Sequence, residues 1–585
     1  MNLRLTLLLL IIPTFLYSQE LSNIAKSPLL QVTGGMSVNQ VYTWSDLPGA
    51  YSQPYAYTIA GNMNFAIYGW SIPVSGVFSN KRWSYQQPFN MVSINPSYKW
   101  IRLYLGDNSM SFSSYTLSGH RFFGGGVELS PTGGWKFSAM AGRMQQRVLP
   151  DTSGRIIPQY YRFGSGFKTE YSYSGGNIGI STFYGRDDAN SLLGYDSLKV
   201  TPNENIAISL TGNINLFKTL TLGGEYATSI FTEDMNSLNA SDKYIIPGFT
   251  KRTSSHRYNA IKGNLTYNSP IGSIGIAAER VAPGYKTLGA YNTVNDFLNY
   301  TFNFATQVIK DKVSFASSIG IQQDDLEKIK AQNNKRTVGS VNVGFTPVKS
   351  INATLSYGNF RNFTHIRSGF ENINNTTPYP TADTLDYTQI SENVNASVSF
   401  SPTSNENVTR SYLVSATYQQ ATEQQSDDLN HSQNTFFNGM LGYNQSMKKR
   451  NFTFSSGINF NHNKADSIIT LTIGPSISAR KQFLDKKLST NISLAYNQSL
   501  LNNKAQSEVY IIRAGCGYTL KDKHVFDLSA IIANRHNMIK SSRNNDLTIT
   551  LTYRYMFKAI TIDFKKKNNT SKSIESDSKN KNGVL

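Results

Sequence analysis

The chain has 585 residues and a formal net charge of +19; aromatic residues make up 12% of it and charged residues 16%. The basic residues are scattered and no stretch combines them with a nucleic-acid-binding fold, so we expect no nucleic-acid partner. A single cysteine, Cys516, excludes a disulfide framework and a cysteine-rich metal site. Many aromatic and few charged residues are typical of a surface that meets lipid and its two interfaces.

The N-terminus has the pattern of a secretory signal peptide. Arg4 lies in a short basic start, residues 5–16 are almost entirely apolar, and the small Ser18 follows. We expect a signal peptide over 1–18, cleaved after Ser18, and a short lead over 19–30. The alternative is a retained helical anchor, for which the apolar run is short. No later run reaches 18 apolar residues, so a membrane-spanning form requires a closed barrel.

From residue 31 to 557 the chain repeats segments in which apolar and polar residues alternate. Successive side chains of a strand point to opposite faces, so each such segment has one apolar and one polar face. A soluble all-β protein also alternates. The length of about ten residues, with Tyr or Phe at the ends, favours strands that cross a bilayer. The clearest segments are 205–216, 350–360, 488–497 and 547–557.

The polar breaks between these segments alternate between short and long. Short turns at one rim and long loops at the other are typical of an outer-membrane barrel. We therefore predict an all-β, antiparallel, up-and-down transmembrane β-barrel of about 26 strands (24–28) over 31–557, with both ends in the periplasm. The strand pattern begins soon after the expected cleavage site, so we predict no separate plug domain. The long breaks are 107–118, 147–158, 186–202, 231–254, 283–295, 324–335, 362–385, 422–433 and 537–544.

The end of the barrel carries alternating aromatic residues. Tyr553, Tyr555 and Phe557 resemble the closing-strand signal that barrel-insertion machinery recognises, which makes that machinery an expected partner during assembly. Residues 559–564 are either a further strand or a periplasmic extension. We expect 558–585 to form this short extension and a disordered basic tail.

The segment 96–143 differs from the rest. It reads YKWIRLYLG from Tyr98, YTLSGHRFFGGGVE from Tyr115 and WKFSAMAGR from Trp135. It resembles large uncharacterised, porin-like outer-membrane β-barrel proteins of Gram-negative bacteria, and the resemblance implies architecture without a catalytic role. Glycines 124–126 leave room for another backbone, so we predict that 107–118 forms a constriction loop touching them.

Charged residues recur on the face that we assign to the lumen. Positive charge inside a pore favours anions, so the basic excess predicts a modest anion preference. The alternative is a solvated or mutually paired wall. The candidates are Arg102, Arg162, Lys168, Lys262 and Arg513, with Glu170, Glu225 and Glu279.

Acidic pairs recur where strands enter long loops. Carboxylate oxygens at the outer rim are possible ligands for Ca²⁺ or Mg²⁺, and solvated loop charge is the alternative. None lies in a twelve-residue calcium loop, and we expect no cofactor. The weak metal candidates are Asp187, Asp188, Asp324, Asp325, Asp427 and Asp428, and Glu233 with Asp234 forms a similar pair.

Signals of catalysis are few. The seven histidines lie far apart, and the chain has no nucleophile elbow and no phosphate-binding loop. Ser118 and His120 come nearest to a nucleophile and base, and we expect this segment to be a turn or loop. We predict that the chain is not an enzyme, with a surface hydrolase as a minor alternative.

These features predict a multi-pass barrel in the bacterial outer membrane, in contact with lipid and lipopolysaccharide. The leading functional prediction is a porin-like passive channel whose lumen is narrowed by loops. The alternative is the barrel subunit of a larger secretion or uptake complex, in which a partner protein fills the pore. A barrel of this strand number encloses a wide lumen, so either loops or a partner must occlude it.

Overall fold

The computed structural model describes most of the predicted barrel. The expected signal peptide, the expected lead up to residue 29, the tail beyond Ile562, and Asp325, Asp427 and Asp428 lie outside the described residues. Residues described are 30–48, 50, 54–80, 91–150, 158–192, 200–240, 249–291, 293–309, 312–324, 326–327, 335–359, 389–402, 407–423, 433–465 and 467–562.

The described chain consists of β-strands with two short 3₁₀ turns, Ala189–Leu192 and Lys448–Arg450. Among these residues, no helix is long and apolar enough to span a membrane. The strands are β1 (Leu30–Ser45), β2 (Tyr55–Ile67), β3 (Trp70–Ser79), β4 (Met91–Ile94), β5 (Ser97–Tyr98), β6 (Ile101–Ser111), β7 (Ser118–Leu129), β8 (Trp135–Gln145), β9 (Arg162–Tyr173), β10 (Gly176–Asp187), β11 (Glu204–Asn215), β12 (Leu220–Thr232), β13 (Ser255–Ser269), β14 (Gly272–Val281), β15 (Phe297–Val308), β16 (Val313–Asp324), β17 (Lys335–Val348), β18 (Ile351–Gly358), β19 (Gln389–Phe400), β20 (Val408–Glu423), β21 (Gln433–Met447), β22 (Phe452–Ala465), β23 (Ile468–Phe483), β24 (Leu488–Leu501), β25 (Lys504–Leu520), β26 (His524–Asn537) and β27 (Ser542–Ile562).

These strands form one closed antiparallel barrel. β4 and β5 both lie between β3 and β6 and are two halves of one strand, so the 27 segments make 26 strands. The first and last strands close the ring, from the pair Leu30 and Ile562 to the pair Ser45 and Asp546. The predicted architecture and strand number are confirmed.

The two rims differ as predicted over most of the barrel. Leu30 and Ile562, the first and last described residues, lie at one rim, where β2 and β3 are joined by only Tyr68 and Gly69. The opposite rim carries long connections, of which 233–254 is an example. Near the C-terminus the alternation is lost, because β24 and β25 are joined at the long-loop rim by Asn502 and Asn503, both at positive φ. Asn tolerates this left-handed conformation, which permits a tight turn there.

The outer surface is apolar and aromatic. Leu210 is 52% exposed, whereas the preceding Ser209 faces inward and is fully buried. At the short-turn rim, aromatic rings such as Trp70 and Tyr98 stack on each other. An apolar wall with an aromatic belt and every strand edge paired is the arrangement that crosses a bilayer. The chain is therefore a multi-pass β-barrel of the bacterial outer membrane, with Cys516 exposed.

The closing strand extends past the predicted signal. β27 continues to Ile562, with an irregularity of register opposite Val32 and Gly34, so residues 559–562 belong to the same strand. Tyr553 contacts the ring of Phe526, with 4.9 Å between centroids, and its hydroxyl lies 2.8 Å from His524 Nδ1. Recognition of this strand by insertion machinery stays a prediction.

The strand register predicts opposite outcomes for two neighbouring substitutions in β18. Leu355 faces lipid near the middle of its strand, whereas Ser356 opposes Asn342 and Asn395 on the inner face. Leu355→Arg should lower the free energy of unfolding by about 2–4 kcal/mol, because it places a charge in hydrocarbon. Ser356→Arg should lower the free energy of unfolding far less, because position 356 faces the lumen and not the lipid. Urea unfolding in lipid vesicles measures both, and an equal loss for the two variants would contradict this register.

Candidate functional site

The connection between β6 and β7 folds into the lumen. We call residues 112–117 the first infolded loop. Phe112 and Leu117, at its two ends, are 5% and 0% exposed. They pack in an apolar cluster on the inner wall with Met110, Phe122, Met140, Met144, Phe183, Phe231 and Leu288.

Glycines on the inner wall make room for this loop and for the strand that leads into it. A Cβ atom at position 126 would lie 2.8 Å from the Met110 sulfur, and one at 166 would lie 2.7 Å from the Phe112 ring. At Gly126 the neighbour is thus Met110 of β6, and the loop residue Phe112 meets Gly166 rather than the patch 124–126, so the predicted contact between a constriction loop and this patch stays a prediction. Residues 107–111 belong to β6 rather than to a loop, however, so that boundary was wrong.

A second connection, between β14 and β15, also turns inward and binds the first. We call residues 282–296 the second infolded loop. The Tyr285 hydroxyl donates to the Tyr115 carbonyl at 2.7 Å, and Thr287 Oγ1 donates to the Thr116 carbonyl at 3.0 Å. The Ser118 amide donates to the Gly289 carbonyl at 2.9 Å. The two loops are thus joined mainly through backbone carbonyl groups.

Polar side chains of the wall hold the second loop in place. Asn205, which is fully buried, accepts from the Leu288 amide at 3.0 Å, and Ser229 donates to the Lys286 carbonyl at 2.6 Å. Asn205 also donates to Ser229 at 2.7 Å. Buried polar groups that are satisfied in this way fix a single loop position.

Glu225 is the centre of the contact between the first loop and the wall. This carboxylate is 6% exposed and lies 2.9 Å from Lys262 Nζ. It accepts from the Ser209 hydroxyl at 2.6 Å and from the Ser113 hydroxyl of the loop. A buried carboxylate needs such partners, and here one of them comes from a residue 112 positions away in sequence.

Glu279 makes the second contact of this kind. It accepts from the Tyr115 hydroxyl at 2.5 Å, and the Lys262 ammonium lies 5.1 Å from the centre of the Tyr115 ring. Burial, followed by the hydrogen bond to Glu279, raises the pKa of the Tyr115 phenol well above its usual value. The phenol therefore stays protonated and donates. Lys262, Glu225 and Glu279, three of the predicted lumen charges, meet in one cluster that binds the loop.

The other predicted lumen charges lie elsewhere on the inner wall. Arg162 forms a two-pronged pair with Asp187, at 2.7 and 3.0 Å, and Lys168 Nζ lies 3.0 Å from Glu170. Arg102 opposes Glu128 across the strands β6 and β7. Arg513 lies on the distant β25.

This pairing weakens the basis of the predicted anion preference, because Arg162, Lys168 and Lys262 are each neutralised by a carboxylate. Reversal potentials of the reconstituted barrel in a salt gradient remain the measurement that decides it.

The predicted metal candidates have other partners where they are described. Asp187 is bound by Arg162 and by the Asn203 amide, and Asp188 accepts from the Asn190 amide at 3.0 Å. In the part of the chain that the structure describes, no three His, Cys, Asp or Glu residues come together as a possible metal site. Asp324 lies at the end of β16.

His120 lies in β7, so the expected turn or loop role for this segment was wrong. Ser118 and His120 are two residues apart in the same strand. The His120 ring is buried, stacks on Tyr291 at 4.1 Å between centroids, and has Nδ1 2.7 Å from the Arg121 carbonyl oxygen. This places His120 in contact with the second infolded loop.

Sequence reasoning missed the second loop, because 283–295 read as an ordinary long connection. Its apolar residues Tyr285, Leu288 and Tyr291 were the available signal. The anchors Asn205 and Ser229 gave none, since small polar residues are typical of any lumen-facing strand.

The inner wall from β16 to β24 has a different character. Its inward positions are mostly small and uncharged, and hydroxyl and amide groups pair across strands, as in Thr354 with Ser397 at 2.8 Å. Arg480 is a charged exception, and its Nε donates to Ser489 at 3.1 Å. Representative inward residues are Ser318, Asn342, Ser356, Asn395, Ser415, Asn438, Ser455, Asn459, Ser478, Asn491 and Ser493.

No protein-family model and no curated protein matched the chain. Three similar solved structures are large membrane barrels. OccAB2 of Acinetobacter baumannii is 9% identical, with a TM-score of 0.27, over 66% of this chain and 98% of that one. The copper transporter OprC is 8% identical, with a TM-score of 0.37, over 90% and 80%. The translocation pore of the P pilus usher PapC is 10% identical, with a TM-score of 0.33, over 90% and 100%. Similarities this low carry no argument about function.

Removing the Glu225 carboxylate should loosen the infolded loops. In Glu225→Ala, the Ser113 and Ser209 hydroxyls and the Lys262 ammonium lose their shared acceptor. We expect the free energy of local opening to fall by about 2–3 kcal/mol and amide hydrogen exchange to accelerate over 112–118 and 284–290. Hydrogen exchange with mass spectrometry measures this. Glu508→Ala, which removes one bond to Tyr496 on β24, is the matched control. Unchanged exchange in the first variant would contradict the assigned role.

Proposed function

We propose that this protein is a passive channel of the outer membrane, with a lumen narrowed by the two infolded loops. The observation that carries the proposal is a pair of carboxylates, the buried Glu225 and the half-buried Glu279, which bind Ser113 and Tyr115 of the first loop. Two connections held together inside a barrel reduce its free cross-section. A barrel of 26 strands encloses a wide lumen, and the two infolded loops would fill part of it.

The polar wall supports a water-filled path beside the loops. Both loops pack on the inner face of β6 to β15, so the wall from β16 to β24 lies opposite them. Its serine, threonine and asparagine side chains offer hydrogen bonds to water and to dissolved molecules without strong charge. Small uncharged hydrophilic solutes are therefore the class that this wall suits best.

The runner-up remains a barrel subunit whose pore is filled by a partner protein. The two possibilities differ in what accompanies the barrel on purification. A stoichiometric second protein, with conductance appearing only after its removal, would favour the complex. Conductance by the barrel alone in planar bilayers would favour the channel.

Shortening the first infolded loop should raise single-channel conductance. Ser111 and Ser118 are paired across β6 and β7, so a two-residue Asn-Gly turn in place of 112–117 can close the hairpin. The narrowing segment is then absent while all strands are kept. We expect a higher conductance in planar bilayers and faster entry of uncharged sugars into proteoliposomes.

A hairpin at the same rim provides the control. Asn537 and Ser542 are paired across β26 and β27, and Ile539 between them is 62% exposed. Replacing 538–541 by Asn-Gly should leave the conductance unchanged. If shortening of 112–117 has no more effect than this control, the loop does not narrow the conducting path.

A further inference from the structure

Four arginines of β8 to β14 face outward close to the long-loop rim. They are Arg143, Arg186, Arg257 and Arg280, on β8, β10, β13 and β14. Each lies within two residues of the end of its strand at that rim. They are spread along the same sector of the wall that carries the infolded loops on its inner side.

The strand register sets the direction of the first two. Arg143 opposes Phe123 and Phe163, which are 48% and 45% exposed on the outer surface. Its guanidinium carbon lies 4.9 Å from the centre of the Phe123 ring. Arg186 also opposes Phe163, and its side chain is 55% exposed.

The other two follow the same alternation. Arg280 opposes Ile261, which is 51% exposed. It lies four residues after the exposed Ile276 in the same strand, so it points to the same outer face. Arg257 is four residues from Ile261 in the same strand, so it points to the same face. Its Nε donates to Thr228 at 3.1 Å.

The charge of this row is largely uncompensated within the described residues. Among these residues, the carboxylate that lies against the four arginines is Glu204, and it is shared by Arg186 and Arg252. Arg186 Nε lies 3.9 Å from one oxygen, and Arg252 Nη1, from the loop above, lies 3.0 Å from the other. The Tyr184 hydroxyl also donates to Glu204, at 2.7 Å.

Elsewhere near this rim the outward charges of the described residues are isolated and of both signs. They include the bases Lys464 on β22 and Arg543 on β27, and the acids Glu392 and Glu508. Glu508 opposes Gln498, and its carboxylate accepts from Tyr496, an outward residue that stacks near Tyr510. Glu392 is exposed and lies two residues before Val394 in β19, so its side chain points outward as that of Val394 does. The outward arginines near this rim are therefore concentrated on β8 to β14.

A charge on the lipid face is costly in hydrocarbon, and the cost falls to near zero at the interface. Where strand ends meet the membrane interface, arginines one or two residues from them can extend their long side chains to the headgroups. The long-loop rim is the one exposed to the cell exterior, so the headgroups there belong to the outer leaflet. A planar guanidinium binds phosphate in a two-pronged manner.

We propose that Arg143, Arg186, Arg257 and Arg280 form a binding surface for the phosphate groups of lipid A, the lipid anchor of lipopolysaccharide. Strands lie about 4.8 Å apart, so arginines on β8 and β10 are separated by roughly 10 Å along the wall. A lipid with several phosphates can bridge such positions, and the exposed phenylalanines between them meet its acyl chains. The proposal does not depend on whether the barrel conducts.

The test is binding of lipid A to the purified barrel in detergent, measured by native mass spectrometry. The wild-type protein should bind bisphosphorylated lipid A more tightly than the fully dephosphorylated form. The variant with Arg143→Gln, Arg186→Gln, Arg257→Gln and Arg280→Gln should lose affinity on the order of tenfold or more, because it lacks the charge-assisted hydrogen bonds.

The matched control removes two outward basic groups at the opposite rim. Arg410 lies two residues before the exposed Tyr412, and Lys481 lies 5.6 Å from the ring of Phe483. Arg410→Gln with Lys481→Gln should bind lipid A as the wild type does. A variant in which all four arginines are replaced by lysine keeps the charge and provides a folding control. We expect its affinity for lipid A to lie between those of the wild type and the glutamine variant.

Three outcomes would overturn the proposal. The first is equal binding of lipid A by the glutamine variant and the wild type. The second is equal binding of the phosphorylated and dephosphorylated lipid. The third is binding of phosphatidylglycerol by the wild type as tight as its binding of bisphosphorylated lipid A, because this would show a general attraction to acidic lipids. Resistance of the barrel to unfolding in cold SDS, checked for each variant, ensures that a lost affinity reflects the surface and not the fold.

Discussion

Every backbone N–H and C=O group in the hydrocarbon core must find its partner inside the protein, because lipid tails accept no hydrogen bonds. The ladder between β1 and β27 meets this requirement for the two strands that would otherwise be edges. Closure then dictates the rest. It fixes the register of every strand, the register decides which side chains face lipid, and the residues left on the inner face become the wall on which the loops fold.

The sequence was sufficient to predict those features that depend on this local rule. Alternation of residue types identified the strands, their faces and their number, because each follows from the period of two in a strand. It also placed Lys262, Glu225 and Glu279 on the inner face. It failed near the C-terminus, where the tight turn at Asn502 and Asn503 replaces the long connection that the alternation predicts at that rim.

The contacts of the infolded loops could not be predicted in the same way. Ser113 meets Glu225 across 112 residues of sequence, and Tyr115 meets Glu279 across 164. Such pairs depend on the curvature of the whole ring, which brings β6 and β7 within reach of β12 and β14. A local pattern carries no information about that curvature. The glycines at 124–126 were a partial signal, since they showed that something approaches the wall but not which segment does.

The first infolded loop is held in two different ways along its length, and this has a mechanical consequence. Phe112, Tyr115 and Leu117 are buried in apolar clusters, where loss of a large side chain costs about 2–5 kcal/mol. Ser113 is held at the wall by its hydrogen bond to the Glu225 carboxylate, a kind of bond worth about 1.5–3 kcal/mol. The Ser113 contact can therefore break at smaller cost than the three apolar side chains can leave their clusters. Because Tyr115 is buried beside Glu279, loss of the Ser113 contact leaves the rest of the constriction in place.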